Sequence, residues 1–97
     1  MNKAQVLSLL SQHLGEIMPR FSVKHLAVFG SAARDEMRDT SDVDVLVEFD
    51  GPASVDRYFG LQAYLEQLFG RRVDLVTDKG LKPRARRFVE EDLIRVA

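Results

Sequence analysis

GSAARDEMRDTSDVD, residues 30–44, sets a Gly-Ser pair ten residues ahead of two aspartates separated by one valine. The run before it, VKHLAVFG, is β-prone and delivers the chain to Gly30. The run that begins in it, DVDVLVEFD, alternates: Val43, Val45, Val47 and Phe49 face one way, Asp42, Asp44, Leu46 and Glu48 the other. The stretch therefore joins two strands, and a link of about a dozen residues permits a hairpin. Its polar middle, SAARDEMRDTS, is expected to be a connection with about one helical turn.

Two acids at i and i+2 of a strand point the same way, with Cα atoms roughly 6–7 Å apart. They can converge on one hard cation or straddle two that lie roughly 3.5–4 Å apart. Without a cation they repel, at a cost in stability. Taken alone, the pair also fits solvated aspartates at a strand start, and Gly30-Ser31 also fits an ordinary turn. A third acid changes the balance: Asp74 opens another β-prone run, RVDLVT. Should that strand lie beside the first, three carboxylates share a face. Glycine lets a backbone approach a ligand closely, and Ser31 adds a hydroxyl beside exposed N–H groups. Such a corner suits phosphate oxygens, while acids hold the magnesium that neutralises them. Together these are the parts for transfer of a phosphoryl or nucleotidyl group.

Outward from this centre, residues 3 to 18 carry Leu7, Leu10, Leu14, Ile17 and Met18, then Phe21, at helical spacing. Pro19 is expected to stop that helix or closely follow its end. GP at 51–52 breaks the second strand, and residues 54 to 69 form a second amphipathic helix through Val55, Tyr58, Leu61, Leu65 and Leu68, stopped by Gly70. That helix is long enough for a crossover to RVDLVT. Pro83 suits the first turn of a last helix, roughly 83 to 92, after which LIRV closes as a short strand or packs loosely. The expected fold is α/β (α+β): a small mixed sheet backed by helices on one face, with the acid-bearing face open.

Ninety-seven residues, 45% hydrophobic and 30% charged, make one ordinary globular domain, residues 1–97, with a modest core. Little of the chain is left for a separate substrate domain, so a partner is expected to supply part of the recognition. Fourteen basic and fifteen acidic residues give a net charge of −1, which argues against a nucleic-acid or anionic-lipid partner. The absence of cysteine excludes disulfides and thiolate metal sites. No signal-peptide run and no apolar stretch near the ~18 residues of a membrane span are present, so a cytoplasmic location without membrane contact is expected. Neither a Walker-type Gly-x-x-x-x-Gly-Lys nor a Rossmann fingerprint occurs.

Gly-Ser, ten residues, Asp-x-Asp resembles the signature of the DNA polymerase beta-like nucleotidyltransferases. More narrowly, the chain is similar to the minimal nucleotidyltransferase family, the MntA-like antitoxins paired with HEPN-domain toxins. The resemblance runs over nearly the whole chain, through SDVDVLVEF, VDLV and LKPRARRFVEEDLIRV. It implies that Asp42 and Asp44 bind magnesium, two ions in all, and that Asp74 is a metal ligand or the base that activates an acceptor hydroxyl. It also implies that Gly30 and Ser31 hold the triphosphate of ATP. Arg34 contacts phosphate or pairs with a neighbouring acid. Many members of the family have glycine after the arginine of AAR, where this chain has Asp35; aspartate tolerates a left-handed turn, so a retained loop is expected.

By that resemblance, the protein is expected to transfer AMP from ATP to a tyrosine of a HEPN toxin encoded by an adjacent gene. It would form a hetero-oligomer with the toxin and act as its antitoxin. Two alternatives remain open: a non-catalytic antitoxin that neutralises by complex formation, and a nucleotidyltransferase acting on RNA or a small molecule. Lys79, Lys82, Arg84, Arg86 and Arg87 crowd the start of the last helix, and Glu90, Glu91 and Asp92 follow. This order opposes the helix dipole, at about 0.3–1 kcal/mol per exposed charge. The cluster is either a solvated face or a surface for an anion: triphosphate, an acidic partner or RNA. His13 and His25 have no companions at metal-ligand spacing and are read as surface residues; Tyr58 and Tyr64 are read as packing or rim residues.

Overall fold

The computed structural model describes residues 1–97. Its elements are α1 (Lys3–Phe21), β1 (Val23–Phe29), α2 (Gly30–Ala33), β2 (Val43–Phe49), α3 (Val55–Phe69), β3 (Val73–Thr77), a 3-10 turn (Asp78–Gly80), α4 (Pro83–Glu90) and β4 (Ile94–Arg95). The four strands form one sheet in the order β3-β2-β1-β4. β1 runs antiparallel to both β2 and β4, while β2 and β3 are parallel. The hairpin, the crossover and the short closing strand all stand as the sequence led us to expect.

The alternation of β2 has its full consequence: Val43, Val45, Val47 and Phe49 are all buried. With Leu26 and Val28 of β1 and Val73 and Leu75 of β3 they make the sheet's side of the core. α1 and α3 supply the other side through Val6, Leu10, Ile17, Phe21, Leu61, Leu65 and Phe69. A side chain such as Leu65, fully withdrawn from water, contributes roughly 1.5–3 kcal/mol by its burial. Asn2 and Gln5 form a capping box at α1, Ser54 caps α3 by accepting the Arg57 N–H, and Gly70 (φ 67) ends α3 in the left-handed region.

Several expectations are corrected. α1 continues through Pro19 to Phe21 and ends only where Ser22 turns left-handed (φ 53) and donates its N–H to the Met18 carbonyl. Pro19 sits in the last turn, where its missing N–H forfeits a single intrahelical bond, and the buried Phe21 ring anchors that turn. Val55, expected on the buried stripe of α3, is 71% exposed because it occupies the first helical position, beyond the sheet's reach. α4 stops at Glu90, two residues early. α1 and α3 back one face as expected, yet α4 stands over the other. A groove of about 320 Å³ separates it from Ala27 and Leu46 of the acid-bearing face. That face is therefore partly roofed. Its roof is light: Val89 is the one buried residue of α4. No helix is long and apolar enough to cross a membrane.

α3 does more than fill the core. β3 is an edge strand, and α3 answers its free edge with polar side chains at i, i+4 and i+8. Tyr58 donates its hydroxyl to the Leu75 carbonyl, Gln62 donates to the Val73 carbonyl at 3.1 Å, and Glu66 accepts the Val73 N–H at 3.1 Å. Tyr58 and Tyr64 are indeed packing residues, the latter lying edge-on to Phe21. His13 and His25 are half-buried, a correction to the surface reading: His13 Nδ1 lies 2.7 Å from the Leu9 carbonyl, and His25 Nδ1 lies 2.8 Å from Arg95 Nη2.

Candidate active site

β2 and β3 are paired so that Asp44 and Asp74 are register partners. Side chains of directly paired residues leave a sheet on the same face, so these two side chains stand side by side on strands about 4.8 Å apart. Asp42 lies two residues earlier, just outside β2, on the same side of the chain. Asp44 is half-buried, whereas Asp42 and Asp74 are exposed. The three acids expected from the sequence are thus brought to one face.

Across the hairpin, Phe29 pairs with Asp44, which places Gly30 beside that carboxylate. Gly30 has φ 69, and a Cβ built on it would collide with Asp44 Oδ2. Only glycine satisfies both the left-handed backbone and the close approach. Ser31 follows at the start of the single turn α2 and is half-buried. The loop then holds its shape through Asp35, which is left-handed (φ 58) and accepts the Lys3 N–H at 2.9 Å on Oδ1. The departure from glycine at this position leaves the loop intact.

Arg34 pairs with two acids, Asp92 at 2.5 Å and Glu36 at 3.2 Å. Asp92 also accepts the Gly30 N–H at 3.3 Å. This aspartate, in the link between α4 and β4, was not singled out as a site residue in the sequence. Its partners lie 62 and 58 positions away, and no local spacing reveals them. Phe88, which borders the same cleft, is 80% exposed. Phe29, Gly30, Asp44, Phe88 and Asp92 border a cleft of about 190 Å³.

The electrostatics are one-sided. Asp44 is raised from 3.8 to about 6, first by burial and then by Asp74 and Asp42, with Asp92 adding to the effect and Arg34 alone opposing it. A hard cation fits this all-carboxylate, electron-rich corner. No three acidic or imidazole side chains are already gathered into a closed ligand cluster. A magnesium ion here would accordingly take one or two of the carboxylates and complete its shell with phosphate oxygens and water, which is its usual habit.

Of the basic cluster, Arg86 is internal to the protein's own architecture. It bonds the Asp78 carboxylate at 3.0 Å and the Asp78 carbonyl at 2.9 Å, tying α4 to the 3-10 turn. Lys79, Lys82, Arg84 and Arg87 remain exposed.

The nucleotidyltransferase domain family matches residues 10–96. The chain is a minimal nucleotidyltransferase of that family. It is 39% identical over 92 residues to protein adenylyltransferase MntA of Thermococcus cleftensis, covering 95% of this chain and 93% of that one. A solved structure assigned as a minimal nucleotidyltransferase superposes with a TM-score of 0.81 at 35% identity, covering 97% of this chain and 95% of its own. The fold also matches the solved complex of a tri-AMPylated Shewanella oneidensis HEPN toxin with an MNT antitoxin, with a TM-score of 0.69. There the identity is 15%, over 94% of this chain and 71% of that one. The nucleotidyltransferase reading made from Gly30, Ser31 and the three acids is thereby established at the level of the family.

Proposed function

We propose that this nucleotidyltransferase transfers AMP from ATP to a tyrosine hydroxyl of a HEPN-domain toxin and serves as its antitoxin. The observation that carries the reading is the pairing of Asp44 with Asp74 beside Gly30, whose missing Cβ leaves room for the Asp44 carboxylate. Support for a protein acceptor comes from the relative in Thermococcus cleftensis, a protein adenylyltransferase matched over nearly its full length. A HEPN toxin as acceptor is supported by the solved complex that shares the fold.

In this reading Asp42 and Asp44 would hold magnesium, which would neutralise the triphosphate and make its α-phosphorus easier to attack, and Asp74 is the base. Gly30 and Ser31 receive the β- and γ-phosphates through the Gly30 N–H and the Ser31 hydroxyl. The acceptor hydroxyl oxygen bonds to the α-phosphorus as the bond from that phosphorus to the β-bridging oxygen breaks. Pyrophosphate leaves with the electron pair, and the hydroxyl proton passes to the Asp74 carboxylate, the exposed member of the register pair and the one open to an incoming surface. Arg34 balances charge on the leaving side.

The test is to incubate the protein with ATP, magnesium and the product of the adjacent gene, then to look by mass spectrometry for added AMP. Modification at a tyrosine is expected, and Asp42→Ala/Asp44→Ala should abolish it. Equal modification by the double variant would end the catalytic reading. Toxin suppression by the double variant without modification would instead favour neutralisation by complex formation.

A further inference from the structure

We propose that Asp92 is an internal stand-in for the nucleotide's phosphate: it holds the Gly30 amide and Arg34 until a triphosphate displaces it, and so sets the affinity for nucleotide. This rests on the assignment of Gly30 and Arg34 to the phosphates.

The contacts are those of an anion in an anion site. One carboxylate oxygen accepts the Gly30 N–H at 3.3 Å and the other accepts from Arg34 Nη1. The Asp92 side chain is 19% exposed, so the ion pair is sheltered on one side. These are the two donors on the leaving-group side of the cleft, and both are engaged. A phosphate oxygen cannot take the Gly30 N–H while Asp92 keeps it. Nor can a phosphate oxygen take Arg34 Nη1 while Asp92 occupies it; Glu36 sits on Nε and leaves that position to the ligand.

The chain is built to let Asp92 go. It lies in the three-residue link between the end of α4 at Glu90 and the start of β4 at Ile94. α4 carries one buried residue, and the chain beyond the link is held independently of Asp92, by the pairing of β4 with β1 and by the backbone bonds of Val96 and Ala97 to Leu26. Swinging Asp92 aside therefore disturbs little of the core. Glu36 stays on Arg34 at 3.2 Å, so the guanidinium keeps its orientation when Asp92 leaves. A permanent strut would have the opposite signature, since its removal would loosen the corner and weaken binding.

Asp92→Asn separates the two. The amide oxygen can still accept the Gly30 N–H, but the charge that competes with phosphate is gone. Calorimetric titration in magnesium with inorganic tripolyphosphate, and with the α,β-methylene analogue of ATP that cannot release AMP, should show binding tighter by about tenfold, or about 1.4 kcal/mol. Adenosine should bind as it does to the wild type, because the competition is for phosphate alone. In transfer assays, KM for ATP should fall without a rise in kcat. In the wild-type protein, the backbone amide resonances of residues 91–93 should move together with those of Gly30 and Ser31 as tripolyphosphate saturates.

Equal or weaker tripolyphosphate binding by a variant that melts like the wild type overturns the proposal. So do resonances of residues 91–93 that stay fixed while Gly30 moves, a measurement that needs no variant. If neither protein binds tripolyphosphate or the analogue, the assignment of the corner to phosphate fails, and this inference fails with it.

Discussion

Replacing Asp44 by asparagine should make the protein more stable at neutral pH, although it removes a residue central to the site. Asp44 has a folded-state value of about 6 against an ordinary 3.8, raised by burial and by the Asp74 and Asp42 carboxylates facing it, with Asp92 adding and Arg34 opposing. Between roughly pH 4 and 6, the folded state therefore keeps a proton that the unfolded chain releases. Stability contributed by that proton is complete below about pH 4 and is lost as pH rises through about 6. The difference corresponds to about 3 kcal/mol at about 1.36 kcal/mol per pH unit. Because Asp44 is only half-buried, solvent screening reduces this to about 2 kcal/mol. For a domain of this size, a gain of about 2 kcal/mol raises Tm by roughly 10 °C. Urea denaturation of wild type and Asp44→Asn at pH 4 and pH 7.5, without divalent cations, measures it. The variant should match the wild type at pH 4 and exceed it at pH 7.5. Magnesium should then narrow the gap by stabilising the wild type alone. A gap that is the same at both pH values, or a variant less stable at pH 7.5, would refute the reasoning.

Two further substitutions test the corner and the edge of the sheet. Gly30→Ala should destabilise by about 1–2 kcal/mol from the left-handed backbone alone, with the clash against Asp44 adding to it. It should lose AMP transfer even at a temperature where circular dichroism shows it folded; wild-type transfer would count against the close approach. Tyr58→Phe leaves the Leu75 carbonyl without its donor and should cost about 1 kcal/mol in chemical denaturation. It should also speed amide exchange along β3, and unchanged exchange there would mean that the ladder on this strand is inert.

The acid-bearing face was legible wherever the physics was local. Strand alternation placed Asp42 and Asp44 opposite Val43 and Val45, and the core obeyed it. Gly30 and Ser31 alone fit an ordinary turn, and they could be read as a turn beside a ligand only in combination with the three acids. The pairing of Asp74 with Asp44 was a conditional statement in the sequence, resolved only by the parallel register that α3 imposes. Asp92 was illegible, since it reads as one more acid in a charged helix end until the fold brings that end to Gly30. α4 was misplaced for a related reason. Its charged sequence buries a single valine, so nothing in it announces which face of the sheet it visits. Pro19 misled because the rule against proline weakens in a helix's last turn.

The polar ladder from α3 has a consequence for how another molecule can meet this protein. With Tyr58, Gln62 and Glu66 spending their hydrogen bonds on the Val73 N–H and on the Val73 and Leu75 carbonyls, that border of the sheet has little backbone to lend. The opposite border is β4, only two residues long. Recruitment by adding a strand, a common way for sheets to capture partners, is thus hindered on both sides. An incoming protein must engage side chains, and Phe29, Phe88 and Asp92 offer theirs at the cleft beside Asp44. The sheet's borders thus favour a visitor that docks by its side chains over one that docks by its backbone.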